Sequence, residues 1–132
     1  NVIGPTILTQ QLIPVMKKSQ INPRIINVHA REGLFEVSKS RYHPHLNMGK
    51  AALAMFTKML ICTKYLTESG KQFRVNGCDP GWISIDEYYQ ENAPWDVPPL
   101  DEIDGAARIL FPLFRNLGSC HKTLRHYTQM IG

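Results

Sequence analysis

The stretch "INPRIINVHA", residues 21–30, decides the architecture. Its core "RIINV" is a short β-branched run set just after a proline. Such a run suits a strand buried on both faces rather than a helix, which needs a longer periodic pattern. Upstream, "GPTILTQQLIPVMKK" (residues 4–18) spaces Ile7, Leu8, Leu12 and Met16 as a helix does, with Pro5 in the first turn and Lys17-Lys18 at the end, where cations suit the helix dipole. Downstream, the polar stretch "REGLFEVSKSRYH" reads as a loop. A second helix is expected from about Pro44 to Leu66, burying a stripe of Met48, Ala51, Ala52, Met55, Met59 and Cys62, with "ESGK" as its stop.

The rest of the chain repeats the alternation. "FRVNGCDPGW" reads as a second buried strand closed by a Pro-Gly turn. The acidic, aromatic segment 84–98 is too irregular for a core element and reads as a long surface loop. "DEIDGAARILFPLF" gives a helix with its acids in the first turn, and "KTLRHYTQ" a short last strand. Helices alternating with strands imply parallel strands and right-handed crossovers, an α/β layer structure. Three strands make a thin parallel sheet with an apolar strand at its edge. The order therefore implies the second half of a longer doubly wound fold, with a preceding segment or another chain covering the strand at 24–29.

Composition sets the outer bounds. The chain has 132 residues, 43% of them hydrophobic and 20% charged, enough for one domain with a core. No apolar run reaches the roughly 18 residues of a membrane span, so no membrane partner is expected. The start at Asn1 suggests a fragment, a processed product or a split gene. Cys62, Cys78 and Cys120 are an odd set without metal spacing, which implies reduced structural thiols, an intracellular setting and no metal. The net charge of +4 is segregated: residues 1–74 hold eleven Lys/Arg against three acids, residues 75–104 eight acids and no Lys/Arg. Apart from Lys17-Lys18 the cations are scattered singly rather than clustered with aromatic or Gly-rich elements, so nucleic acid is not an expected partner.

Asn1–Gly4 with its Asn-x-x-Gly spacing, "RIINV…REG", the helix bearing Lys50 and "RVNGCDPGW" together resemble, in order and spacing, the C-terminal half of the short-chain dehydrogenase/reductase family. The resemblance covers essentially residues 1–132 and implies a Rossmann-like sheet without its N-terminal Gly-rich half. It implies a catalytic set of Asn, Ser, Tyr and Lys, of which Asn1 and Lys50 are kept. Ala30 falls at the serine position, beside His29, and Leu46 at the tyrosine position. Pro80, Gly81 and Ile83 fall at cofactor-binding positions, and the family's threonine after Pro-Gly falls at Ile85, beside Ser84. No Gly-rich pyrophosphate turn is present, so this chain alone is expected to bind no cofactor, with NAD or NADP taken up if an N-terminal half is present. "HPHLNMGKAA" and "PPLDEIDGAARIL" are similar to a branch of the family that carries threonine at the tyrosine position.

Those losses bear on the chemistry. Carbonyl reduction needs a proton donor at the developing alkoxide, and neither leucine nor alanine supplies one. Tyr42 precedes the helix, and His45 points about 100° away from Leu46 around it. Each histidine is expected to be solvent-exposed or to brace a loop, with His29 the one candidate for a replacement acid. The resemblance thus implies a catalytically silent protein with a structural or assembly role. It would meet a protein partner or a second copy through helices 5–18 and 44–66, the helices that pack against a second subunit in that family. The alternative is an NAD(P)-dependent oxidoreductase acting on a carbonyl or alcohol with a non-standard proton donor. Tyr88, Tyr89 and Trp95 in the acidic loop are expected to pin it to its own domain, the alternative being that they anchor a basic partner.

Overall fold

The structure is a computed structural model that describes residues 2–39, 41, 43–63, 66, 70, 72–83 and 98–115. The expected last strand, the acidic loop 84–97, Asn1, Tyr42 and Cys120 lie outside the described residues. Within them the chain is mixed α/β: helix α1 (Ile3–Lys18), strand β1 (Arg24–Val28), a 3-10 turn (Arg31–Gly33), helix α2 (Pro44–Cys62), strand β2 (Arg74–Cys78) and helix α3 (Glu102–Phe114). The strands pair in parallel, Arg24 opposite Arg74 through Val28 opposite Cys78.

Each boundary has a local cause. Pro44 opens α2 at a first-turn position, where a missing N–H costs nothing, after His43 turns the chain in the left-handed conformation at φ 57°. Asp101 caps α3: its Oδ1 accepts the Asp104 N–H at 2.7 Å, and Glu102 and Asp104 complement the helix dipole. Lys17 and Lys18 end α1 as the dipole favours.

α1 and α2 cover one face of the sheet and α3 the other. Ile13 of α1 and Leu60 of α2 pack with Ile25, Leu66, Phe73 and Val75 into the core. On the opposite face an Arg24 amino group donates to Pro112 O and Leu113 O of α3 at 3.3 and 3.4 Å, and Cys78 Sγ to Arg108 O at 3.3 Å. β1 buries Ile25 and Asn27 and half-buries the residues between them, so the expected burial on both faces is complete on one only.

The stripe expected to be buried on α2 is overturned. Met48, Met55 and Met59 are 72%, 54% and 64% exposed, and Ala52 and Cys62 are exposed too, while Ala51 is half-buried. The helix instead buries Leu53, Thr57 and Leu60, the next row round its surface. Polar Thr57 takes a core position because its hydroxyl accepts from Asn27 Nδ2 of β1 at 2.9 Å and donates to Leu53 O at 2.9 Å, leaving no buried polar atom of the pair unsatisfied. α2 also stops at Cys62, short of Leu66. On α1 the residue sealed in the core is Ile13, while Ile7, Leu8 and Leu12 of the expected spacing stay exposed.

Candidate functional site

In a parallel sheet the loops leaving the carboxyl ends of the strands are where ligands bind in open α/β folds. Here that end gathers Val28 to Arg31 after β1, Cys78 to Gly81 after β2, the first turns of α2 and Arg108 of α3. Asp79 ties the two loops together. Its Oδ2 accepts the Arg31 N–H and its Oδ1 the Gly81 N–H, both at 2.8 Å. Gly81 sits at φ 87°, a conformation that glycine adopts without strain.

Close approach sets the position of Lys50. A Cβ on Gly33 would stand 2.6 Å from Ala51 N and 2.7 Å from Lys50 C, so only glycine lets the turn after β1 lie flat against α2. That contact brings the Lys50 ammonium within 3.1 Å of Val28 O, to which it donates. Leu46 lies one turn before Lys50 on α2 and is 38% exposed. Ala30 is half-buried in extended backbone just before the turn. Lys50, Leu46 and Ala30 are thus all at this end of the sheet, with Pro80 and Gly81 in the facing loop. Ile83 is set farther along. It bridges to Leu100 in parallel and packs on Gly105, where a Cβ would meet Ile83 Cδ1 at 2.1 Å.

His29 departs from its expected place. It is 1% exposed, and neither ring nitrogen has a hydrogen-bond partner. The imidazole lies over Gly77, where a Cβ would come within 2.2 Å of Nε2. It is therefore a sealed core group rather than an exposed or loop-bracing one, whereas His43 and His45 are exposed as expected. Burial lowers its pKa below 6.5, opposed by the Asp79 carboxylate and reinforced by the Lys50 ammonium. The Cys78 thiol is pushed up to about 11, by burial first and then by Asp79, against the pull of Arg108. It is a protonated donor, not a thiolate nucleophile.

Chemically, the ammonium, carboxylate, thiol and imidazole here are already engaged or sealed. The ammonium is held by a carbonyl, both carboxylate oxygens accept backbone N–H groups, and the thiol donates to a carbonyl. The imidazole bonds to neither Lys50 nor Asp79. No group of three or more His, Cys, Asp or Glu suited to a metal ion occurs among the described residues. Sequence reasoning used Gly33 only to place Ala30 and passed over Asp79 and Gly77. The former was signalled by Asp-Pro-Gly, which favours a side-chain-to-backbone turn, and the latter by a glycine inside a strand, which marks a close approach.

No known family profile matches the chain, and no solved structure matches it. The chain is similar to an uncharacterized protein of Acanthamoeba polyphaga mimivirus, at 40% identity over 119 residues. The match covers 86% of this chain and 25% of the viral protein, so the chain spans about a quarter of that relative's length. No described helix is long and apolar enough to cross a membrane.

Proposed function

We propose that the chain is a short-chain dehydrogenase/reductase-like unit, the C-terminal half of a doubly wound Rossmann-like sheet, that is catalytically silent and acts in assembly. One observation carries the reading: the apolar residues that α2 withholds from its own core. Met48, Ala52, Met55, Met59 and Cys62 are all exposed and follow one another at steps of four and three, the spacing of a helix–helix seam. α1 exposes Ile3, Ile7, Leu8 and Val15 at 75%, 53%, 60% and 65%. Apolar surface gathered in this way marks an interaction site, whereas scattered single residues do not. The partner is a second copy or another protein presenting a helical face.

The carboxyl edge supports the silent part of the reading. Leu46 supplies no proton, Ala30 no hydroxyl, and Lys50 spends its ammonium on Val28 O. Any NAD or NADP would be bound only with an N-terminal half in place. Sedimentation velocity of the chain and of its Met55→Glu variant tests the assembly role. The parent is expected to sediment as an oligomer or complex at micromolar concentration, and the variant as a monomer, since a buried carboxylate at a seam goes unpaired. A monomeric parent would exclude a second copy as the partner. Titration of the full-length protein with NADH and NADPH, followed by nicotinamide fluorescence, tests silence: binding with turnover of a carbonyl would replace it with the oxidoreductase reading.

A further inference from the structure

The ladder between β1 and β2 has a fixed phase. At its two ends Arg74 N–H donates to Pro23 O at 3.0 Å and His29 N–H to Cys78 O at 2.9 Å. In a parallel pair, alternate residues of a strand do its bonding to a given neighbour. Ile25, Asn27 and His29 therefore face β2, and the N–H and C=O of Ile26 and Val28 point away from it. Lys50 takes Val28 O. Neither backbone group of Ile26 is bonded to β2, nor to any other described residue.

The helices say which side of the sheet that edge faces in the chain's winding. Ile25 and Val75, opposite each other in the ladder, share one face with Ile13 of α1 and Leu60 of α2. Crossovers between parallel strands are right-handed, so crossovers whose helices lie on the same face step across the sheet in the same direction. The α2 crossover steps from β1 to β2. A strand that ran into α1 would make the same step to reach β1, which puts it on the side of β1 away from β2. That is the edge where Ile26 is open. Residues 19–23 join α1 to β1, a connection of the short kind found within such units.

We infer that the outer edge of β1 seats a further parallel strand supplied by chain N-terminal to α1. It bonds to Ile26 through both N–H and C=O and is stopped at Val28 by Lys50, whose ammonium occupies the next acceptor. In the mimiviral relative the matched stretch is 25% of the protein, so there a comparable unit sits within a much longer chain. The inference rests on the reading of the chain as the C-terminal half of a doubly wound sheet but not on the assembly role, and stands if the α2 seam proves unpaired.

Residue-resolved amide exchange of the full-length gene product is the test. The Ile26 amide is expected to be protected to the same degree as the Asn27 amide, as a bonded central-strand residue is. Its cross-strand NMR contacts should run to residues N-terminal to α1. Faster exchange of Ile26 overturns the inference, as does protection accompanied by contacts to a second copy or to chain beyond α3. Ile26→Pro removes only the outward N–H, and proline is tolerated at such an edge position. It is expected to spare the β1–β2 ladder while the added strand loses its protection. A strand that keeps its protection overturns the inference, and if the variant fails to fold, the parent's exchange decides.

Discussion

His29 and Gly77 form a contact with no slack. A methyl group on Gly77 would stand 2.2 Å from the ring nitrogen, so Gly77→Ala forces the imidazole or the strand to move. Overpacking of this kind costs about 1–3 kcal/mol. Denaturant unfolding should show that loss, and Gly77→Ala combined with His29→Ala should recover most of it relative to His29→Ala alone. The same ring makes stability depend on pH. Its folded pKa is depressed by burial and by Lys50, against Asp79, so the unfolded chain takes up the proton first as pH falls. The contribution is full above about pH 6.5 and is lost as pH drops below that value. The unfolding free energy measured from pH 7.5 to pH 5 should therefore fall more steeply for the parent than for His29→Leu; equal slopes would show that the imidazole titrates alike in both states. Sequence alone put His29 at the strand end but not inside the core. Strand alternation left two faces open to it, and only the glycine on the neighbouring strand makes room on the inner one.

At the scale of elements, most of the order was readable and the facing of α2 was not. Pro44, Asp101 and the "RIINV" run act through local chemistry, which a sequence displays directly. α2 is apolar on two sides, so its spacing offers two competing stripes, and the methionine row is the one with more hydrophobic residues. The core chose the other because Thr57 completes a buried hydrogen bond with Asn27 across to β1. Replacing one partner tests that choice. Thr57→Val leaves Asn27 Nδ2 buried without its acceptor and should cost about 1–3 kcal/mol in denaturant unfolding, while the paired change with Asn27→Leu should cost less than the two single changes added together. A Thr57→Val variant as stable as the parent would mean that Asn27 does not set the rotation of α2.

Across the whole molecule the two helices on the core face are held unequally. α2 seals Leu53, Thr57 and Leu60 and lies against both strands and the turn after β1, whereas α1 seals Ile13 alone, with Met16 packed beside it. An isolated helix of 16 residues is marginal in water, so α1, with Ile3, Ile7, Leu8 and Val15 exposed, is the less firmly held of the two. Local opening follows such differences in burial. In the monomeric Met55→Glu variant, hydrogen exchange is expected to be fastest in α1, slower in α2, and slowest at Val75. In an assembled parent the α1 amides should slow more than any others if the partner lies over both helices. If α1 exchanged as slowly as Val75 in the monomer, the helix would be anchored by its own core, and its exposed apolar row would need no partner.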